Sequence, residues 1–132
     1  MANRNFPNWI NAYLEYTKFS ESPSKFHFWT AVSVLAGALR RRVWIDQKYF
    51  VWIPNFYIIF VAKPGIVSKS TTADIGMSLL REVPGIHFGP NSLTWQALIQ
   101  AMHQSVDTIE DPATGELFAS SAFSIVASEL GS

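Results

Sequence analysis

The chain has no cysteine among its 132 residues, which excludes disulfide scaffolds, thiolate metal sites and cysteine nucleophiles together. The same absence fits a reducing compartment. Charge is scarce, with 15% of residues Asp, Glu, Lys or Arg against roughly 25% in an average globular chain. Ten basic and ten acidic side chains cancel, so net charge draws the chain to no polyanion. Long apolar runs are also missing. The longest, Ile53 to Ala62, is broken by Pro54 and Asn55 and falls far short of the roughly 20 residues of a membrane helix. Met1 to Pro7 lacks a basic stretch leading into an apolar run, so no secretory signal is expected. A soluble, cytoplasmic protein without a membrane partner is the expectation.

Apolar residues are abundant, at 48% of the chain with 14% aromatic. That excludes disorder as the main state. The length suits one domain, or one domain with an appendage, since single cores occupy roughly 100–200 residues. So apolar a chain with zero net charge is expected to bury surface against a partner subunit or further parts of a longer protein.

Trp9, Ile10, Tyr13, Leu14 and Tyr16 recur at mostly helical spacing after Pro7, predicting a helix within residues 6–19. Ser20 to Ser24 reads as a turn, with Ser22 or Ser24 capping a second helix through Phe26, Trp29 and Leu39. That helix is apolar almost all round, so burial is expected, and Arg40, Arg41 and Arg42 suit its C-terminal dipole. Residues 43–45 and 49–53 read as a hairpin around Asp46-Gln47-Lys48. Phe56 to Val61 is a continuous apolar run, the pattern of a strand covered on both faces of a parallel sheet. A loop from Ala62 to Ser68 leads into a helix from Lys69 to about Glu82, stopped by Pro84-Gly85. Residues 86–88 read as a short strand. Asn91 or Ser92 should cap a helix to about His103, burying Leu93, Leu98, Ile99 and Met102. Residues 107–116 read as an exposed loop or hairpin tip, and 123–127 as the last strand. The second half is therefore an α/β pattern.

The chemistry concentrates in the loop and the helix after it. A buried strand, a Gly-containing loop and a helix opening with Lys-Ser-Thr form the layout of a phosphate-binding loop. Backbone N–H groups cradle phosphate there, at residues including Gly65 and Ser68. Lys69 would follow the β- and γ-phosphates, and the hydroxyl of Ser70 would hold Mg²⁺, with Thr71 next in line. The pattern G-x-x-x-x-G-K-[ST] is not met, because Lys63 and Ser68 stand at its two glycine positions. The alternative is a type II turn at Pro64-Gly65 followed by an ordinary helix. Downstream, the apolar strand ends at Glu129, where a carboxylate could polarise an attacking water. Ser128 occupies the position where a metal-supporting Asp is usual.

Residues 54–72, 88–98 (Phe-Gly-Pro-Asn-Ser-Leu-Thr-Trp-Gln-Ala-Leu) and 127–131 (Ala-Ser-Glu-Leu-Gly) together resemble a family of phage, plasmid and prophage P-loop proteins. That family is related to the helicase parts of primase–helicase replication proteins. The resemblance runs from about residue 24 onward and includes the leading helical segment, the arginine-rich end and the Pro-Gly-x-x-x-Lys-Ser-Thr loop. It implies that loss of the second loop glycine is normal for the family. It implies a P-loop NTPase-like parallel sheet, here partial, preceded by a helical segment and β-hairpin. Residues 1–53 would be that leading part and 54–132 the N-terminal part of the core. It further implies ATP and Mg²⁺ as cofactors, with Gly65, Ser68, Lys69, Ser70 and Thr71 binding and Glu129 catalytic. The implied function is helicase-like ATP hydrolysis in phage or plasmid DNA replication, as a homo-oligomer or within a longer chain. Such a core needs more parallel strands than this sequence supplies, so turnover by these residues alone is expected to be weak.

His27, His87 and His103 fall in separate elements without metal-ligand spacing, and are expected to be solvated or at core edges. Trp29, Trp44, Trp52 and Trp95 are expected in the core. Asp107, Glu110 and Asp111 are expected to be solvated. Two other functions fit the same residues. One is a non-catalytic assembly module with a relic loop, and the other a single-strand nucleic-acid binder using Trp44, Trp52 and the arginines.

Overall fold

The computed structural model describes residues 7–63, 65–90, 94–111 and 114–127. Among them the chain is mixed α/β, with four helices and two small antiparallel sheets. No described helix is long and apolar enough to cross a membrane. Two compact units interleave along the sequence. The first comprises Met1–Ala36 and Phe56–Glu82, the second Gly37–Asn55 and Val83–Ser132.

In the first unit α1 spans Trp9–Tyr16, and Asn8 caps it by accepting the N–H of Asn11 at 2.9 Å. Helix α2, Ser24–Leu39, begins one residue after Pro23, whose carbonyl accepts from Phe26 N at 2.9 Å. Its expected complete burial is not found. His27, Thr30, Ala31 and Val34 are buried, whereas Phe28 and Trp29 are exposed. Helix α3, Lys69–Arg81, buries Thr72, Gly76, Met77 and Leu80 on one stripe, as its helical spacing requires. The core of this unit forms where that stripe meets Tyr13, Thr30 and Val34 around Gly76.

The expected strand at 56–61 is not formed, since those residues pair with no other strand among the described residues. Phe56, Tyr57, Ile59 and Val61 are exposed. An apolar run becomes a covered strand only when neighbours supply both ladders and both faces. Its fixed point is Phe60, which stacks on Phe26 of α2 with ring centroids 4.6 Å apart and planes 8° from parallel.

In the second unit, β1 (Ile45–Asp46) pairs with β2 (Val51–Trp52), matching the expected hairpin in shortened form. Its tip is set by Asp46, whose carboxylate accepts the N–H of Lys48 at 2.7 Å. Helix α4, Trp95–Gln104, is capped by Thr94 through Ala97 N at 3.2 Å rather than by Asn91 or Ser92, which lie outside the described residues. It buries none of its residues fully, and Ile99 and Met102 are exposed. Strands β3 (Val106–Glu110) and β4 (Leu117–Ser121) form an antiparallel hairpin from Val106↔Ser121 to Glu110↔Leu117. Of the expected loop or hairpin tip over 107–116, residues 107–110 are strand and the connection of a hairpin follows them. Near the other two expected strands there is a parallel bridge, Phe88↔Ser124. Gly89 N donates to Ser124 O at 2.8 Å, and Ser124 N to His87 O at 3.0 Å.

The arginines after α2 do more than end a helix. Arg40, with φ +54°, directs Nη1 to the Gly85 carbonyl at 2.7 Å and to Asp107 Oδ2 at 2.9 Å. Arg42 reaches the same carboxylate oxygen at 3.3 Å. Asp107, expected to be solvated, is therefore a structural anion between two guanidinium groups.

Candidate functional site

The loop before α3 is built by a few backbone bonds. Ile66 N donates to Lys63 O at 3.4 Å, closing a turn in which Gly65 has φ +74°. That sign of φ suits glycine, the only residue that takes it at no steric cost. A turn is thus present at Gly65; Pro64, the other residue of the expected turn, lies outside the described residues. A Cβ at Gly65 would meet nothing within 4 Å, so the space beside this residue is open. Lys69 N donates to Val67 O at 2.9 Å, and Thr72 N begins the helical ladder on Ser68 O at 3.0 Å.

Ser68 is the N-cap residue of α3, and its side chain makes no capping bond. The N–H groups of Ser70 and Thr71 fall in the first turn, where a helix offers no acceptor. An uncapped N-terminus of a helix this long presents N–H donors and a partial positive charge to an anion. Ser70 and Thr71 are exposed there and Ser68 and Lys69 half-buried. The Lys69 side chain turns back along the loop, and Nζ donates to the Ala62 carbonyl at 3.1 Å. Its ammonium therefore lies against the residue that opens the loop, seven positions earlier in the chain.

Gly65, Ser68, Lys69, Ser70 and Thr71 thus share one loop and helix start, as their sequence order requires. Glu129 and Ser128 lie outside the described residues. No group of three or more His, Asp or Glu side chains among the described residues could hold a metal ion. A Mg²⁺ at this loop would be held mainly by phosphate oxygens and water with one protein hydroxyl, which suits the ion's reluctance to shed its hydration shell.

Ser22 was legible in the sequence only as a helix cap. In the structure it is buried, and its hydroxyl donates to the Ser68 carbonyl at 3.0 Å. Thr72 Oγ1 donates to the same carbonyl at 3.0 Å. A serine flanking a proline announces a helix start, and no local signal says that it serves a residue so distant in sequence.

The tryptophans are another departure. Trp29, Trp52 and Trp95 are exposed and Trp44 is half-buried. In the second unit a groove of about 320 Å³ is lined by Arg42, Trp44, Thr108, Ile109 and Glu110. Beneath the arginines lies a cavity of about 10 Å³, room for one water at most. Compared with known proteins, the chain matches no family model, no curated protein and no solved structure.

Proposed function

We propose that the chain is an ATP-binding, P-loop-type protein, helicase-like, serving phage or plasmid DNA replication as part of a larger assembly. The observation that carries the nucleotide reading is Lys69. It stands in the first turn of an uncapped helix, with its ammonium folded back over the preceding loop. Phosphate oxygens entering that loop would replace the Ala62 carbonyl as partners of Nζ, exchanging a neutral acceptor for a charged one. Gly65 is exposed with open space beside it, and Ser70 would offer its exposed hydroxyl to Mg²⁺. MgATP bound there would supply a phosphoanhydride whose terminal phosphoryl group can pass to water. Lys69 and the N–H groups of Ser70 and Thr71 hold the phosphate charge in this reading, and Glu129 acts on the water. The parallel bridge between Phe88 and Ser124 supports a parallel sheet as the underlying plan. DNA replication and the oligomer rest on the family resemblance alone.

A second reading is favoured by the same bond seen from the other side. The loop satisfies Lys69 with its own carbonyl, as a relic loop in an assembly module would. The exposed aromatic side chains Tyr49, Phe50 and Trp52 on the β1–β2 hairpin suit such a module. Isothermal titration of MgATP into the chain and into Lys69→Ala separates the two. Binding abolished by the substitution is the expected result. No heat from folded protein overturns the nucleotide reading in favour of the module.

A further inference from the structure

We infer that the segment Ser22–Phe26 is a brace for the phosphate loop, with Ser22 as a positioning residue for nucleotide binding; this rests on the nucleotide reading of the loop. The loop hangs between two points of attachment, and both lie on this short segment. Upstream, Phe60 is stacked on Phe26. Downstream, the Ser68 carbonyl accepts the Ser22 hydroxyl. The residues from Val61 to Val67 are spanned between these two points.

The Ser68 carbonyl has three donors within 3.0 Å, namely Ser22 Oγ, Thr72 Oγ1 and Thr72 N. Two of them, on Thr72, lie within α3 and travel with it. Ser22 is the donor that ties the helix start to another element. Its own N–H donates to Ser20 Oγ at 3.2 Å, and both Ser22 and Thr72 are buried. Holding the Ser68 carbonyl inward, toward α2 and Thr72, fixes the peptide plane that begins α3. The first-turn N–H groups are then aimed before any ligand arrives. A loop fixed at both ends loses less conformational freedom on binding, which raises affinity without adding a contact.

The brace has a second consequence for a loop that lacks both pattern glycines. With Lys63 and Ser68 at those positions, the loop depends less on glycine's backbone freedom to curl around phosphate. The turn at Gly65 curves it, and the attachments at Ser22 and Phe26 hold its ends. Ser22 touches no phosphate in this arrangement and acts through Ser68.

The test is titration of MgATP into the full chain, Ser22→Ala, Ser22→Thr, Lys69→Ala and Ser105→Ala. Ser105 is a buried serine in the second unit, so its loss reports any effect of lowered stability alone. Ser22→Ala should weaken MgATP binding about three- to tenfold, the loss of one net hydrogen bond. Ser22→Thr should restore it, and Ser105→Ala should bind as the unaltered chain does. Should Ser22→Ala not fold, Ser22→Cys keeps the shape with a weaker donor and is measured in its place. Binding lost in Lys69→Ala but unchanged in the Ser22 variants overturns the brace and leaves the nucleotide reading standing. Equal weakening in Ser105→Ala also overturns it, as a plain stability effect. Absence of binding by the unaltered chain overturns both.

Discussion

Gly76 of α3 stands so close to Thr30 of α2 that a Cβ there would lie 2.3 Å from Thr30 Cγ2 and 3.0 Å from Val34 Cγ2. The absence of a side chain at one position sets how near the two helices come. Tyr13 completes the contact, its hydroxyl 3.6 Å from the same point.

Gly76→Ala opposes two effects of known sign. Alanine gains about 1 kcal/mol of helix propensity over glycine, while overpacking a closed site costs about 1–3 kcal/mol. Thr30 is β-branched and cannot swing its methyl aside cheaply, so the clash wins. Gly76→Ala should lower stability by up to about 2 kcal/mol in urea unfolding. Adding Thr30→Ala removes the clashing methyl and a hydroxyl that has no hydrogen-bond partner among the described residues, so the double variant should recover most of the loss. A stabilised single variant would show that the helices separate freely.

His27 makes stability depend on pH. It is 2% exposed, and neither ring nitrogen has a partner among the described residues. Burial lowers its pKa below the ordinary 6.5, because the charged form loses its water. The nearby Tyr13 ring, 6.2 Å away between centroids, stays neutral because burial first and Tyr16 second push its pKa up to about 12. The unfolded chain therefore binds a proton at His27 before the folded chain does, and stability rises with pH across that interval. The contribution is complete above about pH 6.5 and is lost as pH falls toward the lowered folded value. Urea midpoints should drop between about pH 7.5 and pH 5, and His27→Leu should flatten that decline. An undiminished decline in His27→Leu would assign it to other groups.

Arg40 and Arg42 share Asp107 but should differ in energy. The Arg40 side chain is 12% exposed and also holds Gly85 O, whereas the Arg42 side chain is 55% exposed. Arg40→Ala should cost about 2 kcal/mol, because it removes the charged donor of the Gly85 carbonyl and leaves Asp107 only the exposed Arg42. Arg42→Ala should cost no more than about 0.5 kcal/mol, the ordinary value of an exposed pair. Urea unfolding at two salt concentrations checks both, and equal losses would show that burial does not separate them.

The helices were legible because their signals are local. Pro7 ahead of α1, Pro23 at the start of α2 and Lys69 opening α3 act within a turn or so of their own positions. The turn at Gly65 belongs with them, since a positive φ is a property of the residue itself. Strand β3 was hidden by Asp107, a carboxylate on the half-buried side of β3 together with Ile109. A charge at that position breaks the alternation that announces a strand, and the guanidinium groups of Arg40 and Arg42 make it tolerable. The run at 56–61 misled in the opposite direction, because an apolar run predicts a covered strand only where a neighbour exists to pair with it.

The sequence by itself determined where α2 and α3 begin, that the chain turns at Gly65, and that Lys69, Ser70 and Thr71 open a helix after that turn. Each of these follows from φ preferences and hydrogen bonds within a few residues. Tertiary structure alone decided that Ser22 holds Ser68, that Arg40 reaches Gly85 and Asp107, and that Thr30 meets Gly76. Those contacts join residues far apart in the chain, and side-chain identity at one end carries no record of its partner at the other.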